Sequence, residues 1–146
     1  MTVPPGTSGA VPVGPVLFNQ ILCPVDFSDS SLNALNHALS ITQEADARLT
    51  VLHVLEVFPE LQAPEYEPVY GPEYQVRLEE AARERLRQAI PDSVRAYCRI
   101  EEVVSIGRSY REILRMAEVQ RSELIVMGVQ GLERWTSCCL VRRHSM

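Results

Sequence analysis

The apolar positions of this chain fall into short continuous runs separated by stretches of helical spacing. Leu17 to Val25 contains the run Ile21-Leu22-Cys23-Pro24-Val25, closed by Asp26. An apolar run this short and bounded this way predicts a buried strand. Ser28 follows as an N-cap, with Asp29 placed in the first turn to suit the helix dipole. Leu32, Leu35, Leu39 and Thr42 then recur at three- and four-residue spacing, widened by Ala34, Ala38 and Ile41, which predicts an amphipathic helix. Arg48 to Leu55 predicts a second, central strand.

Residues 56–73 break the pattern with four prolines, five glutamates and two tyrosines and predict an acidic, flexible loop. Helical spacing resumes from Tyr74 to Ile90 through Leu78, Ala82, Leu86 and Ala89, and Pro91 stops it. Glu79 and Arg83 form a favourable i,i+4 pair. Tyr97 to Ile106 predicts a third strand. Its alternation of Cys98 and Ile100 with Arg99 and Glu101 marks it as half-exposed, as an edge strand is. Gly107 ends it. Ser109 and Glu112 have the spacing of a capping box, and Ile113, Leu114, Ala117 and Gln120 continue a third helix. Glu123 to Met127 predicts a fourth strand, apolar on both faces and ending at Gly128.

The order β-α-β-loop-α-β-α-β, with connections long enough for parallel pairing, predicts an α/β domain: an open parallel sheet with helices on both faces. In such sheets ligands bind beyond the carboxyl ends of the strands, near the switch point of the strand order. The positions to inspect are therefore Pro24 to Asp26, His53 to Leu55, Ser105 to Gly107 and Met127 to Gly131.

Composition narrows the function. The 146 residues fit one domain, expected over 17–146 after a flexible tail at 1–16 rich in Pro, Gly and small residues. No apolar run reaches membrane-spanning length, and the N-terminus lacks the charge and apolar core of a secretory signal. Net charge is −5 without a basic segment, which argues against nucleic acid as partner. The arginines at 77, 83, 85 and 87 alternate with glutamates and read as a solvated helix face. All fourteen basic residues are arginine, so lysine chemistry is excluded. The four cysteines form no C-x-x-C pair and are expected to be reduced thiols in a cytoplasmic protein. No metal site is expected.

Enzyme motifs are missing. There is no G-x-S-x-G elbow, P-loop, G-x-G-x-x-G or H-E-x-x-H. His53 ends a buried strand and reads as a structural core histidine. Asp26 has two readings, a ligand contact or an acceptor for backbone donors at the turn into the first helix. Gly128 and Gly131 also have two, a ligand contact or a tight turn. Cys138 and Cys139 read as packing rather than as a redox pair.

Four segments resemble the universal stress protein family. Ile21-Leu22-Cys23-Pro24-Val25-Asp26-Phe27-Ser28 looks like its opening strand and turn. Leu52-His53-Val54 looks like the end of its second strand. Gly107-x-x-x-x-Glu112-Ile113 looks like the start of its third helix. Leu124-Ile125-Val126-Met127-Gly128-x-x-Gly131 looks like its fourth strand and glycine turn. The resemblance covers about residues 18–131.

It implies a Rossmann-like fold of the adenine-nucleotide alpha-hydrolase type, with strand order 3-2-1-4, and a homodimer. It also implies an adenine-nucleotide site, for ATP or AMP, at Pro24, Asp26, Val54, Gly128 and Gly131. The ATP-binding pattern of the family is G-x2-G-x9-G-[ST]. Its third glycine falls here on Val141 and its hydroxyl on Arg142, so the phosphate half of the site is rewritten. Arg142 would supply charge in place of the hydroxyl only where the segment folds into the family geometry. The family's fifth strand is expected to be missing, with Leu132, Trp135 and Cys139 spaced for a short terminal helix. The expected function is a stress-response binding protein with a partial adenine-nucleotide site. The alternatives are a nucleotide-independent interaction module on the same fold, or a truncated family member; ATP hydrolysis is the least favoured reading.

Overall fold

The computed structural model of the chain describes residues 18–56, 71–129 and 138–142. The expected tail at 1–16 and most of the acidic loop lie outside the described residues. The elements are β1 (Gln20–Pro24), α1 (Asp29–Ala45), β2 (Arg48–Leu55), α2 (Pro72–Ala89), α3 (Asp92–Arg95), β3 (Arg99–Ile106), α4 (Ser109–Val119), β4 (Leu124–Gly128) and β5 (Cys138–Arg142).

The sheet order is β3-β2-β1-β4-β5. β1 pairs in parallel with both β2 and β4, and β3 pairs in parallel with β2. The first four strands thus have the expected 3-2-1-4 order. The expectation that the sheet ends at β4 is corrected. β5 adds a fifth strand, antiparallel to β4, with Gly128 opposite Cys138 and Leu124 opposite Arg142. Cys139 therefore belongs to a strand opposite Met127, not to a terminal helix; Leu132 and Trp135 lie outside the described residues. The physical reason is the edge. The backbone N–H and C=O groups of an apolar β4 need partners, and a neighbouring strand supplies them where a helix would not.

Side-chain alternation along the strands assigns the two faces. Ile21 and Cys23 of β1 with Leu49 and Val51 of β2 meet Leu35 and Ala38 of α1 and Leu86 of α2 in one core. Leu22, Leu52 and Ile125 point the other way and meet Met116 and Ala117 of α4 in a second. Leu22, Leu49, Leu52 and Leu86 are completely shielded from solvent. Each such side chain stabilises the fold by about 1.5–3 kcal/mol relative to an exposed one.

Local chemistry sets the helix ends. Ser28 caps α1, its Oγ accepting from the Ser31 N–H at 3.3 Å. Asp46 ends α1 in the left-handed region at φ 51°. α2 starts at Pro72, two residues before the point where apolar spacing begins, because proline suits the first helical position. β3 is an outer strand and only half-buried, as its alternation predicts.

The start of α4 differs from the capping-box expectation. Arg108 occupies the N-cap and makes no side-chain cap bond. Glu112 turns away instead, accepting from the Ser105 hydroxyl and from Arg115 Nη2, the latter at 2.7 Å. Arg115 first, then the Ser105 hydroxyl, holds the Glu112 carboxyl below its ordinary range. The donors of Ser109 are taken by Glu56, 53 residues away in sequence, at the end of β2.

Candidate functional site

A cleft of about 180 Å³ opens at the carboxyl ends of the parallel strands. Among the described residues it is lined by Pro24, Val25 and Asp26 after β1, Leu52 and Val54 of β2, and Met127 and Gly128 of β4. Ser31 of α1 and Ser109 and Ile113 of α4 complete the wall. The cleft lies between β1 and β4, where the strand order reverses, which is where open α/β sheets bind ligands. Pockets for small molecules commonly enclose ~300–1,000 Å³, so this one suits a ring system rather than a whole phosphorylated ligand.

Pro24 shapes the opening. The Val25 N–H donates to the Leu52 carbonyl at 2.8 Å, toward β2. Amide direction alternates along a parallel strand, so position 24 faces β4, where proline has no N–H to give. The β1–β4 pairing accordingly stops at Leu22 and Ile125, and the strands part beyond it.

Asp26 lines the cleft and also organises the turn into α1. Its Oδ1 accepts from the Ser28 N–H at 2.9 Å and from the Ser28 hydroxyl at 2.5 Å. Its own N–H donates to Ser31 Oγ at 3.2 Å. Partial burial pushes the Asp26 carboxyl up, but the bonds from the Ser28 hydroxyl and N–H and from Ser31 outweigh it, and the net direction is down. Asp26 is thus a carboxylate at neutral pH.

Phe27, next in the chain, holds a φ of 65°, a left-handed conformation that bulky residues rarely adopt. That geometry lays its ring against His53, centroids 4.6 Å apart, and under the Arg85 guanidinium at 4.0 Å. His53 Nδ1 lies 2.8 Å from the Val25 carbonyl. A carbonyl only accepts, so Nδ1 carries the proton there. His53 ties β2 to the turn after β1, the structural role read from the sequence.

Gly128 is the residue against which α1 rests. A β-carbon added to it would lie 2.6 Å from the carbonyl carbon of Ser30 and from the Ser31 nitrogen. Side-chain-free backbone at the end of β4 is therefore what lets the first turn of α1 close over the strand.

Four of the five expected site residues, Pro24, Asp26, Val54 and Gly128, come together on this cleft; Gly131 lies outside the described residues. Val141 and Arg142 do not follow them. β5 runs antiparallel, so the backbone of Arg142 pairs with Leu124, four residues before Gly128 and roughly 13 Å away along the strand. Strand direction carries the backbone of these two departures from the family pattern away from the rim.

Ser109 and Glu56 were missed from sequence. The Ser109 hydroxyl donates to Glu56 Oε1 at 2.6 Å and its N–H to the same oxygen at 3.2 Å. These two bonds, the hydroxyl first, hold the exposed Glu56 carboxyl below its ordinary range. The nearest sequence signal was the position of Glu56, directly after the second strand. Among the described residues no group of His, Cys, Asp and Glu is placed to hold a metal ion. No helix among them is long and apolar enough to cross a membrane.

An open parallel sheet, helices on both faces and a cleft at the strand-order reversal define a Rossmann-like α/β domain. Residues 17–140 match the model of the universal stress protein family, and the chain belongs to that family. Universal stress protein MJ0531 of Methanocaldococcus jannaschii is 31% identical over 121 residues, spanning 81% of this chain and 68% of the relative. Among solved structures, universal stress protein UspA from Lactobacillus plantarum superposes with a TM-score of 0.63 at 26% identity, covering 82% of both chains. A universal stress protein solved in complex with cAMP shares the fold, with a TM-score of 0.55 at 22% identity over 82% of this chain and 78% of that one.

Proposed function

We propose that this universal stress protein-like chain is a binding protein whose cleft takes a ligand bearing an adenine ring. The carrying observation is the convergence of Pro24, Asp26, Val54 and Gly128, from three strand ends, on one small and mostly apolar cleft. Leu52, Val54, Ile113 and Met127 offer the flat apolar walls that a purine prefers, and Asp26 offers a carboxylate for hydroxyl or amino donors. The cAMP complex of the structural neighbour supports the reading at the level of fold, since cAMP carries the same ring. Gly131 belongs to the proposed site as the second glycine of the family pattern. Catalysis is no part of the proposal.

A homodimer and a cytoplasmic location complete it. Residues 17–146 are read as one domain behind the tail at 1–16. The Cys98 thiol is free among the described residues, as suits a reducing compartment. Light scattering of the purified chain checks the dimer; a monodisperse monomer at micromolar concentration removes it.

Isothermal titration with adenosine, AMP and ATP, beside guanosine as control, tests the ligand. Saturable heat with the adenine compounds and none with guanosine is expected. Flat titrations with every adenine compound would leave the interaction module as the function of the fold.

A further inference from the structure

We infer that the groove between α1 and α2 binds a small organic carboxylate with an apolar body, and that Arg85 receives the carboxylate. The groove shares no described lining residue with the strand-end cleft, and the inference does not depend on the adenine reading.

The charge pattern of α2 is the first support. Residues one helical turn apart on a helix face form ion pairs. Arg77 has Glu73 and Glu80 at that spacing, Arg83 has Glu79, and Arg87 has Glu84. Arg83 and Glu79 approach to 4.0 Å, and Arg87 and Glu84 to 2.8 Å. Arg85 breaks the pattern. Its neighbours three and four positions away are Ala81, Ala82, Gln88 and Ala89. The chain thus places one arginine of α2 where the helix itself supplies it no carboxylate.

The second support is how Arg85 is held. Its guanidinium lies over the Phe27 ring, 4.0 Å from the centroid. Phe27 takes up that position through a left-handed backbone at φ 65°, and its ring rests on His53 with centroids 4.6 Å apart. A bulky residue keeps such a backbone only where its surroundings impose it. Stacking uses the flat face of the guanidinium and leaves its N–H edge for in-plane partners. That edge is the one that grips a carboxylate through two parallel bonds. A stacked arginine also has less freedom to lose on binding than an unsupported one.

The groove supplies the rest of the ligand's contacts. Leu32 and Asn36 of α1 line it together with Arg85, Gln88 and Ala89 of α2, and it holds about 360 Å³. Sites for small molecules commonly fall in the range ~300–1,000 Å³. Leu35, almost fully shielded from solvent, lines it as well. Leu32, Leu35 and Ala89 offer apolar surface to the body of the ligand, and the Asn36 side-chain amide offers further N–H donors. An uncharged apolar molecule leaves the guanidinium edge unused, and a bare anion leaves the apolar surface unused. A small carboxylate with an apolar body uses both.

The test uses benzoate as probe and benzyl alcohol as its uncharged counterpart, titrated into the isotope-labelled full chain and followed by amide chemical shifts. Shifts should centre on Leu32, Asn36, Arg85 and Gln88 and saturate at millimolar benzoate. Benzyl alcohol should bind about fivefold more weakly, and added salt should weaken benzoate alone. Arg85→Gln should weaken benzoate by about fivefold to tenfold, and Arg85→Lys should recover part of the loss, since an ammonium group lacks the planar fork. Arg83→Gln removes an equal charge from the same helix and should leave the affinity within about twofold. Ala89→Leu keeps Arg85 and fills the groove, so it should also weaken benzoate. Melting curves by circular dichroism establish that each variant is folded. Benzoate bound no better than benzyl alcohol, or not saturably at all, overturns the inference. Shifts centred on Val54 and Gly128 overturn it too, as do equal losses in Arg83→Gln and Arg85→Gln. Undiminished binding by Ala89→Leu overturns the groove as the site.

Discussion

Gly128 and Ser30 touch so closely that the one cannot acquire a side chain without displacing the other. A β-carbon on Gly128 would stand 2.6 Å from the Ser30 carbonyl carbon, and the obstacle is backbone rather than a flexible side-chain tip. The contact joins the last residue of β4 to the first turn of α1 and fixes one wall of the cleft.

Replacing Gly128 with alanine should therefore destabilise the protein by about 1–3 kcal/mol, the usual cost of overpacking. Denaturant midpoints by circular dichroism give the number. Gly71 is the control. Nothing lies within 4 Å of its would-be side chain, and serine is a favoured N-cap, so Gly71→Ser should stay within ~0.5 kcal/mol of the parent. An alanine at 128 as well tolerated as a serine at 71 would show that the close approach is not rigid.

Asp26 gives a pH dependence of definite sign. Its folded pKa lies below the ordinary value of 3.8, because the bonds from Ser28 and Ser31 outweigh the effect of burial. The unfolded chain therefore binds its proton first as pH falls. The stabilisation is fully present above about pH 3.8 and is lost as pH drops through the folded value. Asp26→Asn should be less stable than the parent at neutral pH and equal to it at the acid end. Denaturation midpoints across that range measure the difference; one that stays constant with pH would assign the effect to shape rather than charge. Asp26 is exposed, so added salt should reduce the difference.

Val54 separates binding from folding. It is partly buried and faces the cleft, so Val54→Phe places a larger apolar group into open space. The expected stability change is below ~1.5 kcal/mol. Adenosine affinity should fall by about tenfold or more, roughly 1.4 kcal/mol, because the volume that would hold the ring is filled. Calorimetry and a melting curve on the same preparation check both halves. Undiminished affinity would place the ligand elsewhere.

The strands at Ile21 to Val25, Arg48 to Leu55 and Leu124 to Met127 were legible from apolar runs alone, and α1 from the spacing of Leu35, Ala38, Leu39 and Thr42. Strand topology pointed to the stretches that hold Pro24, Asp26, Val54 and Gly128, and the family resemblance picked those four residues out of them. The capping box at Ser109 and Glu112 misled, since its spacing is local while the donors of Ser109 went to a residue 53 positions away. Cys139 misled similarly. Helical spacing over three positions competed with the apolar run Cys138 to Val141, and the open edge of β4 decided for a strand.

By itself, the sequence determined the first four strands, the three long helices between them and that those four strands run parallel. Those outcomes depend on side-chain period, capping and connection length, all of them properties of neighbouring residues. The tertiary structure alone decided the direction of β5, the contact of Gly128 with α1, the meeting of Glu56 with Ser109, and the parting of β1 from β4 beyond Leu22. These are contacts through space between residues far apart in the chain, and only the packing of completed elements brings such residues within a few ångströms.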